Sequence, residues 1–176
     1  YTDEVLGDLG IDRSELVEMK AVEVGNIFTL GTKFSDALDL NYTDQAGENK
    51  KVFMGSYGIG PSRVMGLIAE HFADDKGLVW PENIAPYRVY LVRIGGEDAI
   101  AHADDLYRTL TEKGIEVVYD DRDERPGAKF ADAELMGIPY RVTVSDRLIE
   151  AGQYECTTRS NGETSLLTRA ELLDTL

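Results

Sequence analysis

The chain has 176 residues, 43% hydrophobic and 29% charged, proportions of an ordinary globular protein with room for one large domain or two small ones. A formal charge of −15 argues against a general nucleic-acid or membrane-surface binder, since both rest on a basic footprint, but it leaves room for a small local basic site. No window is long and apolar enough to span a membrane, and one cysteine with two histidines rules against an intrachain disulfide or a structural zinc site. The first residues lack the basic start and apolar core of a signal peptide, so the chain reads as cytoplasmic. Without an initiator Met it has the pattern of a fragment or a processed product.

In chain order, residues 22–30 alternate apolar and polar near their start, which predicts a strand. Residues 41–43 and 52–54 flank a polar, glycine-containing stretch and predict a hairpin. Three glycines, Gly55, Gly58 and Gly60, then precede Pro61, which suits the first position of a helix because its missing N–H would lack an intrahelical partner anyway. Val64, Leu67, Ile68 and Phe72 recur at helical spacing and predict a buried face. Pro81 and Pro86 bracket a stretch held extended or turned, which predicts a seam between residues 1–84 and 85–176. Acidity is shared across it, with 7 basic against 15 acidic residues up to residue 84 and 11 against 18 beyond.

Beyond the seam, strands and helices alternate. Residues 88–94, 115–119 and 141–144 read as strands. Residues 98–113 carry Ala99, Ala103, Leu106 and Leu110 on one helical face, with Gly114 as the stop. Residues 130–136 predict a second helix and 168–176 a capped terminal one. This order argues for a mostly parallel, three-layer α/β unit.

Two segments could carry chemistry. A glycine turn between strand and helix lets backbone N–H groups approach an anion, and Arg63, one turn in, could lay its guanidinium on a phosphate. The pattern is neither a dinucleotide fingerprint nor a P-loop, and a tight turn with a solvated or carboxylate-paired Arg63 is the plainer alternative. Residues 120–130 are densely charged. They suit either a solvated loop or contact with unpaired guanines, whose N–H donors Asp or Glu can accept and whose carbonyl Lys or Arg can donate to.

The run Gly-Ser-Tyr-Gly-Ile-Gly-Pro-Ser-Arg at residues 55–63, preceded by residues 23–35, resembles bacterial prolyl-tRNA synthetases. Residues 119–132 and 137–141 resemble the anticodon-binding domain of the same family, and the likeness is nearly continuous from about residue 21 to about 159. It implies the antiparallel-sheet end of a class II catalytic domain followed by the α/β anticodon-binding domain. Residues 55–63 are similar to motif 3, in which the arginine contacts the ATP phosphates. The resemblance therefore implies that Arg63 is catalytic and that Gly58 and Gly60 bind ATP with it. Gly55, Ser56 and Lys33 fall beside the amino-acid pocket, on the family's strand. Ser56 stands where many relatives have cysteine, and Asn26 replaces a frequent histidine. Arg122, Glu124, Arg125, Lys129 and Phe130 would read and hold the anticodon guanines, with Phe130 stacking a base.

Motifs 1 and 2 of class II enzymes are not found. Arg13-Ser14-Glu15 has some of motif 2's letters but reads as a capped helical turn. The implied partners are proline, ATP with Mg²⁺, proline tRNA and, for the intact enzyme, a second copy; the chain by itself is expected not to activate proline. Two alternatives stay open, a stand-alone RNA-binding adaptor built on the anticodon domain and a non-catalytic nucleotide-binding regulator.

Overall fold

The computed structural model describes residues 2–176 and divides into two compact units, the first ending at Val64 and the second running from Met65 to Leu176.

The first unit opens with α1 (Asp3–Leu9), capped by Thr2 at one end and by Gly10 in the left-handed conformation at the other. Residues Arg13–Glu15 form a short 3₁₀ turn capped by the Asp12 carboxylate, as the capped turn read there requires. An antiparallel ribbon follows, β1 (Gly25–Gly31) paired with β4 (Met54–Ile59), with a bulge between Thr29 and Gly31. Between these strands lie α2 (Lys33–Ala37) and the hairpin β2 (Asn41–Thr43) with β3 (Asn49–Lys51).

The second arm of that hairpin is Asn49–Lys51, not residues 52–54. Asp44 accepts N–H bonds from Ala46 and Glu48 on one side-chain oxygen, which closes the turn early and pairs the residues just beyond it. Helix α3 (Pro61–Phe72) begins at the predicted proline. Its expected buried face is only partly realised: Val64, Leu67 and Ile68 are half-buried and Phe72 is exposed. Spacing fixes which face of a helix is apolar, whereas burial depends on what packs against that face.

In the second unit a five-stranded sheet has the order β6-β5-β7-β8-β9, from β5 (Val89–Ile94), β6 (Val117–Asp120), β7 (Tyr140–Ser145), β8 (Tyr154–Thr158) and β9 (Thr164–Leu167). The first three are parallel and the last two pair antiparallel, so the sheet is mixed rather than mostly parallel. The chain leaves β5 through α4 (Glu97–Glu112) to β6 at one edge, then returns through α5 (Pro126–Met136) to β7 on the other side of β5. Crossovers of one hand in opposite directions put α4 and α5 on opposite faces, giving the three expected layers.

Alternation along the strands sorts the core. Val89, Leu91, Val142, Val144, Tyr154 and Cys156 meet Ala103, Leu106 and Leu110 of α4 and Leu172 of α7 (Arg169–Thr175). Tyr90 and Val92 face the other way, onto Ala133, Phe130 and Ile138. Both faces of β5 are covered, which explains its uninterrupted apolar run. Helix α5 starts at Pro126, four residues before the predicted start, because Arg125 is extended and the proline takes the first helical position. Helix α6 (Asp146–Glu150) follows β7, and α7 has a full capping box between Thr168 and Glu171.

Candidate functional site

In the first unit the strand-to-helix junction is built by β1 and β4. Gly25 lies opposite Ile59 and Asn26 opposite Gly58, and the Gly60 N–H donates to the Val24 carbonyl at 3.1 Å. A side chain on Gly25 would put its Cβ 2.9 Å from the Gly58 carbonyl oxygen, so the strands are held together by a glycine at that crossing. A Cβ on Gly58 would meet nothing within 4 Å, and Gly55, Gly58 and Gly60 all lie outside the left-handed region. Neither packing within the unit nor backbone strain demands glycine at 58. What its smallness leaves is open space over the turn.

Arg63 is exposed and donates from Nη1 to the Glu23 carbonyl at 2.8 Å, which fixes the guanidinium and, among the described residues, leaves other donors of its fork unused. Asn26 holds the Glu23 carboxylate at 3.2 Å. Gly58, Gly60 and Arg63 thus line, with residues 23–26, one open cleft of about 400 Å³. The N–H groups of Ser62 and Arg63 face no acceptor among the described residues, as the first turn of a helix requires. An exposed guanidinium, two free N–H groups and an uncrowded glycine fit a phosphate chemically.

Gly55 and Ser56 lie further along β4, opposite Thr29 and Phe28, and neither lines this cleft. Lys33 opens α2 instead of sitting on the strand, because β1 ends at Gly31 with φ +61°. Its exposed ammonium lies 5.8 Å from the Phe34 ring centre. Among the described residues no group of three His, Cys, Asp or Glu could hold a metal ion.

In the second unit the charged stretch organises around Asp120, the last residue of β6, which is buried. Arg122 reaches it twice, Nε to Oδ1 at 2.9 Å and Nη2 to Oδ2 at 2.7 Å, and also holds Asp132 at 2.7 Å. The Tyr90 hydroxyl donates to the same carboxylate at 2.9 Å. The Arg122 guanidinium, against the cost of burial, brings the Asp120 carboxyl down to about 2. Burial, aided by the Asp120 carboxylate, pushes the Tyr90 phenol up to about 12.

Lys129 turns inward. Its side chain is 3% exposed and Nζ donates to the carbonyls of Arg93 at 3.0 Å and Asp120 at 3.2 Å, tying β5 to β6. Burial pulls its pKa down, against the pull of Asp120. The free cation that the charged run suggests is therefore supplied by other residues. Glu124 and Arg125 are exposed and make no hydrogen bond or ion pair through their side chains among the described residues. Phe130 is half-buried against the core, and the Arg141 guanidinium lies 4.3 Å from its ring centre, so one ring face is already taken.

Sequence reasoning missed Arg141, Tyr90 and Asp132. Arg141 projects from β7 toward Thr157 and Glu155 of β8, on the part of the sheet that α5 leaves open. Ile94, Phe130, Thr143, Ser145, Glu155 and Leu166 are among the residues lining a cleft of about 470 Å³ there. It lies beyond the carboxyl ends of β5 and β7, where the strand order reverses, the position at which open α/β sheets bind ligands.

Comparison with known proteins agrees with the order of the two units. The family described as "Anticodon binding domain" matches residues 88–176, and "tRNA synthetase class II core domain (G, H, P, S and T)" matches residues 12–72. A proline–tRNA ligase of Levilactobacillus brevis is 47% identical over 173 residues, which is 97% of this chain and 30% of the relative. That of Geobacillus kaustophilus is 46% identical over 158 residues, 89% of this chain and 28% of the relative, and that of Burkholderia multivorans 41% over 174 residues, 97% and 30%. The chain thus spans about 30% of the length of the curated relatives it matches. With an anticodon-binding domain over its second half, a class II core segment before it and this similarity throughout, the chain belongs to the proline–tRNA ligase family.

Proposed function

We propose that this chain works within a ligase that joins proline to its tRNA, with residues 1–84 contributing to the catalytic domain and 85–176 reading the anticodon. The observation that carries this is the pairing on one chain of an uncrowded glycine–arginine cleft and an anticodon-binding unit. In the reaction, a proline carboxylate oxygen attacks the α-phosphorus of ATP and pyrophosphate leaves. The 3′-terminal ribose hydroxyl of the tRNA then attacks the prolyl carbonyl, and AMP leaves. Arg63, anchored by the Glu23 carbonyl, neutralises charge on the pyrophosphate side, with Gly58 and Gly60 giving the nucleotide backbone-close access. Gly55, Ser56 and Lys33 belong to the proline side of the same domain. Mg²⁺ would arrive on the nucleotide and would offset charge on its phosphates.

At the other end, Arg122, Glu124 and Arg125 offer donors and acceptors to the two guanines of a proline anticodon. Lys129 and Phe130 serve by holding the base of that loop: Lys129 fastens the β5 and β6 carbonyls, and Phe130 carries Arg141. The intact enzyme is a cytoplasmic homodimer on this reading.

The test is proline-dependent exchange of pyrophosphate into ATP by the intact ligase, with and without Arg63→Ala, beside tRNA titration. Arg63→Ala should lower exchange by roughly 10²–10³-fold while proline tRNA binds nearly as before. Replacing the two anticodon guanines should weaken tRNA binding and leave tRNA-free exchange alone. Equal loss of exchange and tRNA affinity in Arg63→Ala, or indifference to the guanines, would sink the assignment.

A further inference from the structure

The charged stretch after β6 is a loop fixed at both ends. At its entrance the Lys129 ammonium donates to the Asp120 carbonyl at 3.2 Å and Arg93 Nη2 donates to the Asp121 carbonyl. The Arg122 N–H adds a bond to Asp120 Oδ1 at 3.3 Å. At its exit the Arg125 carbonyl accepts the Ala128 N–H at 2.9 Å as α5 begins. Between these ends the side chains of Asp123, Glu124 and Arg125 are exposed.

One guanidinium closes the neck of the loop. Of the five N–H donors of Arg122 three are committed, Nε to Asp120 Oδ1 at 2.9 Å and Nη2 to Asp120 Oδ2 and Asp132 Oδ2, each at 2.7 Å. The arginine thus bridges the end of β6 to α5. Its two Nη1 N–H groups have no acceptor among the described residues, so they are what it has left to offer a ligand.

Other residues set the direction of that free edge. Fork binding to one carboxylate fixes the guanidinium plane, and a second carboxylate on the same nitrogen limits its remaining swing. Asp120 is itself held from the core, where the Tyr90 hydroxyl donates to Oδ2 at 2.9 Å. Tyr90 and Asp120 are buried, while Arg122 and Asp132 are half-exposed. Neither Tyr90 nor Asp132 makes any other side-chain hydrogen bond or ion pair among the described residues.

We infer that Tyr90 and Asp132 are positioning residues for anticodon reading, acting through Arg122 to hold its free Nη1 edge where the carbonyl of an unpaired guanine can accept from it. This rests on the function proposed above. A swinging arginine would reach phosphates and favour all tRNAs alike, whereas a held one favours the base whose acceptor lies in its path. Charge and position predict opposite signs here. Asp132→Ala removes a negative charge from a chain of net −15, which by itself should tighten binding to any tRNA. Loss of a guide for Arg122 should instead loosen binding to the tRNA that carries the guanines.

The experiment uses the intact ligase at fixed salt. It compares the dissociation constant for proline tRNA with that for the same tRNA carrying adenines at the two guanine positions. Adenine has an amino donor where guanine has the carbonyl. In Asp132→Ala the constant for proline tRNA should rise about fivefold while that for the adenine tRNA stays or falls, so discrimination drops at least about fivefold. Asp132→Asn keeps an acceptor at similar reach and should recover most of the discrimination. Tyr90→Phe leaves the Asp120–Arg122 pair without its backing and should lower discrimination by about twofold. Tm and tRNA-free exchange of Asp132→Ala should stay near wild type, because a half-exposed pair contributes little to stability. Unchanged discrimination in Asp132→Ala would overturn the inference, as would equal weakening for both tRNAs. An Asp132→Asn ligase as poor as Asp132→Ala would overturn it too, by making charge rather than geometry the cause. A wild-type ligase that bound both tRNAs equally would instead remove the anticodon reading on which the inference rests.

Discussion

The two units carry comparable apolar side chains and bury them very differently. In the second, Leu91, Leu106, Leu110 and Val142 are sealed between sheet and helices. In the first, the buried residues among those described are Leu6 and Ser35, while Ile27 and Tyr57 on the ribbon are 81% and 79% exposed. A sheet with helices on both faces supplies its own cover, whereas a two-stranded ribbon cannot. The second unit therefore carries a sealed core of its own, and the first leaves most of its ribbon exposed. The two sites inherit this difference. The charged cluster around Asp120 is preorganised by buried partners, and the cleft at Gly58, Gly60 and Arg63 is an open surface.

The hardest test of that contrast is to separate the units. Residues 73–176 should unfold in one cooperative transition by circular dichroism, and residues 2–64 should show none. A cooperative transition in the shorter piece would mean that the ribbon has a core of its own.

Next in size is Asp120→Asn, which leaves the Arg122 guanidinium short of its main partner and the buried Lys129 ammonium without its nearest carboxylate, and should cost about 3–5 kcal/mol. Wild-type stability also carries a pH signature. With Asp120 at about 2 when folded and 3.8 as its ordinary value, the stabilisation is full above pH 4. It is lost as pH falls from there toward 2, because the native state must then take up a proton that the unfolded chain already holds. Urea unfolding at pH 7 and pH 3 should show a smaller difference in Asp120→Asn than in wild type. An equal difference would mean that the carboxylate is not held by its partners.

Core substitution sharpens the comparison within single residues. Leu106→Ala should cost about 2–5 kcal/mol, and Ile27→Ala, on the exposed ribbon, less than about 0.5 kcal/mol. An Ile27→Ala cost in the intact ligase well above that figure would show that other parts of the enzyme cover the ribbon; an unchanged cost would place that side chain in solvent there too.

The same burial contrast governs how much was legible in the sequence. Helix α4 could be read residue by residue because Ala99, Ala103, Leu106 and Leu110 repeat on a face that is wholly buried. Helix α3 has a similar spacing, but spacing reports which face is apolar and not whether anything lies against it. Strands β8 and β9 escaped because they are short and alternate weakly, with Glu155, Thr157 and Thr164 on the outward face beside an exposed Leu166; the Asn161-Gly162 pair between them was the available signal. Arg63 and its glycines form a local pattern and could be found from sequence. The inward turn of Lys129 depends on the Arg93 carbonyl, and the pair of Arg159 with Asp74 joins residues 85 positions apart, so neither is written in local sequence.

The smallest structural effect belongs to Gly58, and it discriminates best between space left by packing and space kept for a ligand. Gly58→Ala adds a methyl where nothing lies within 4 Å and where φ is ordinary, so thermal stability should move by less than about 0.5 kcal/mol. Gly25→Ala meets the Gly58 carbonyl at 2.9 Å across the ribbon and should cost about 1–3 kcal/mol, an overpacking strain with no chemical reason behind it. If the cleft takes the ATP phosphates, Gly58→Ala should weaken ATP in the exchange assay, raising its KM without a fall in Tm. A Gly58→Ala ligase with wild-type KM for ATP would show that the open space is only the edge of an unfinished sheet, and that Arg63 works without the glycine beside it.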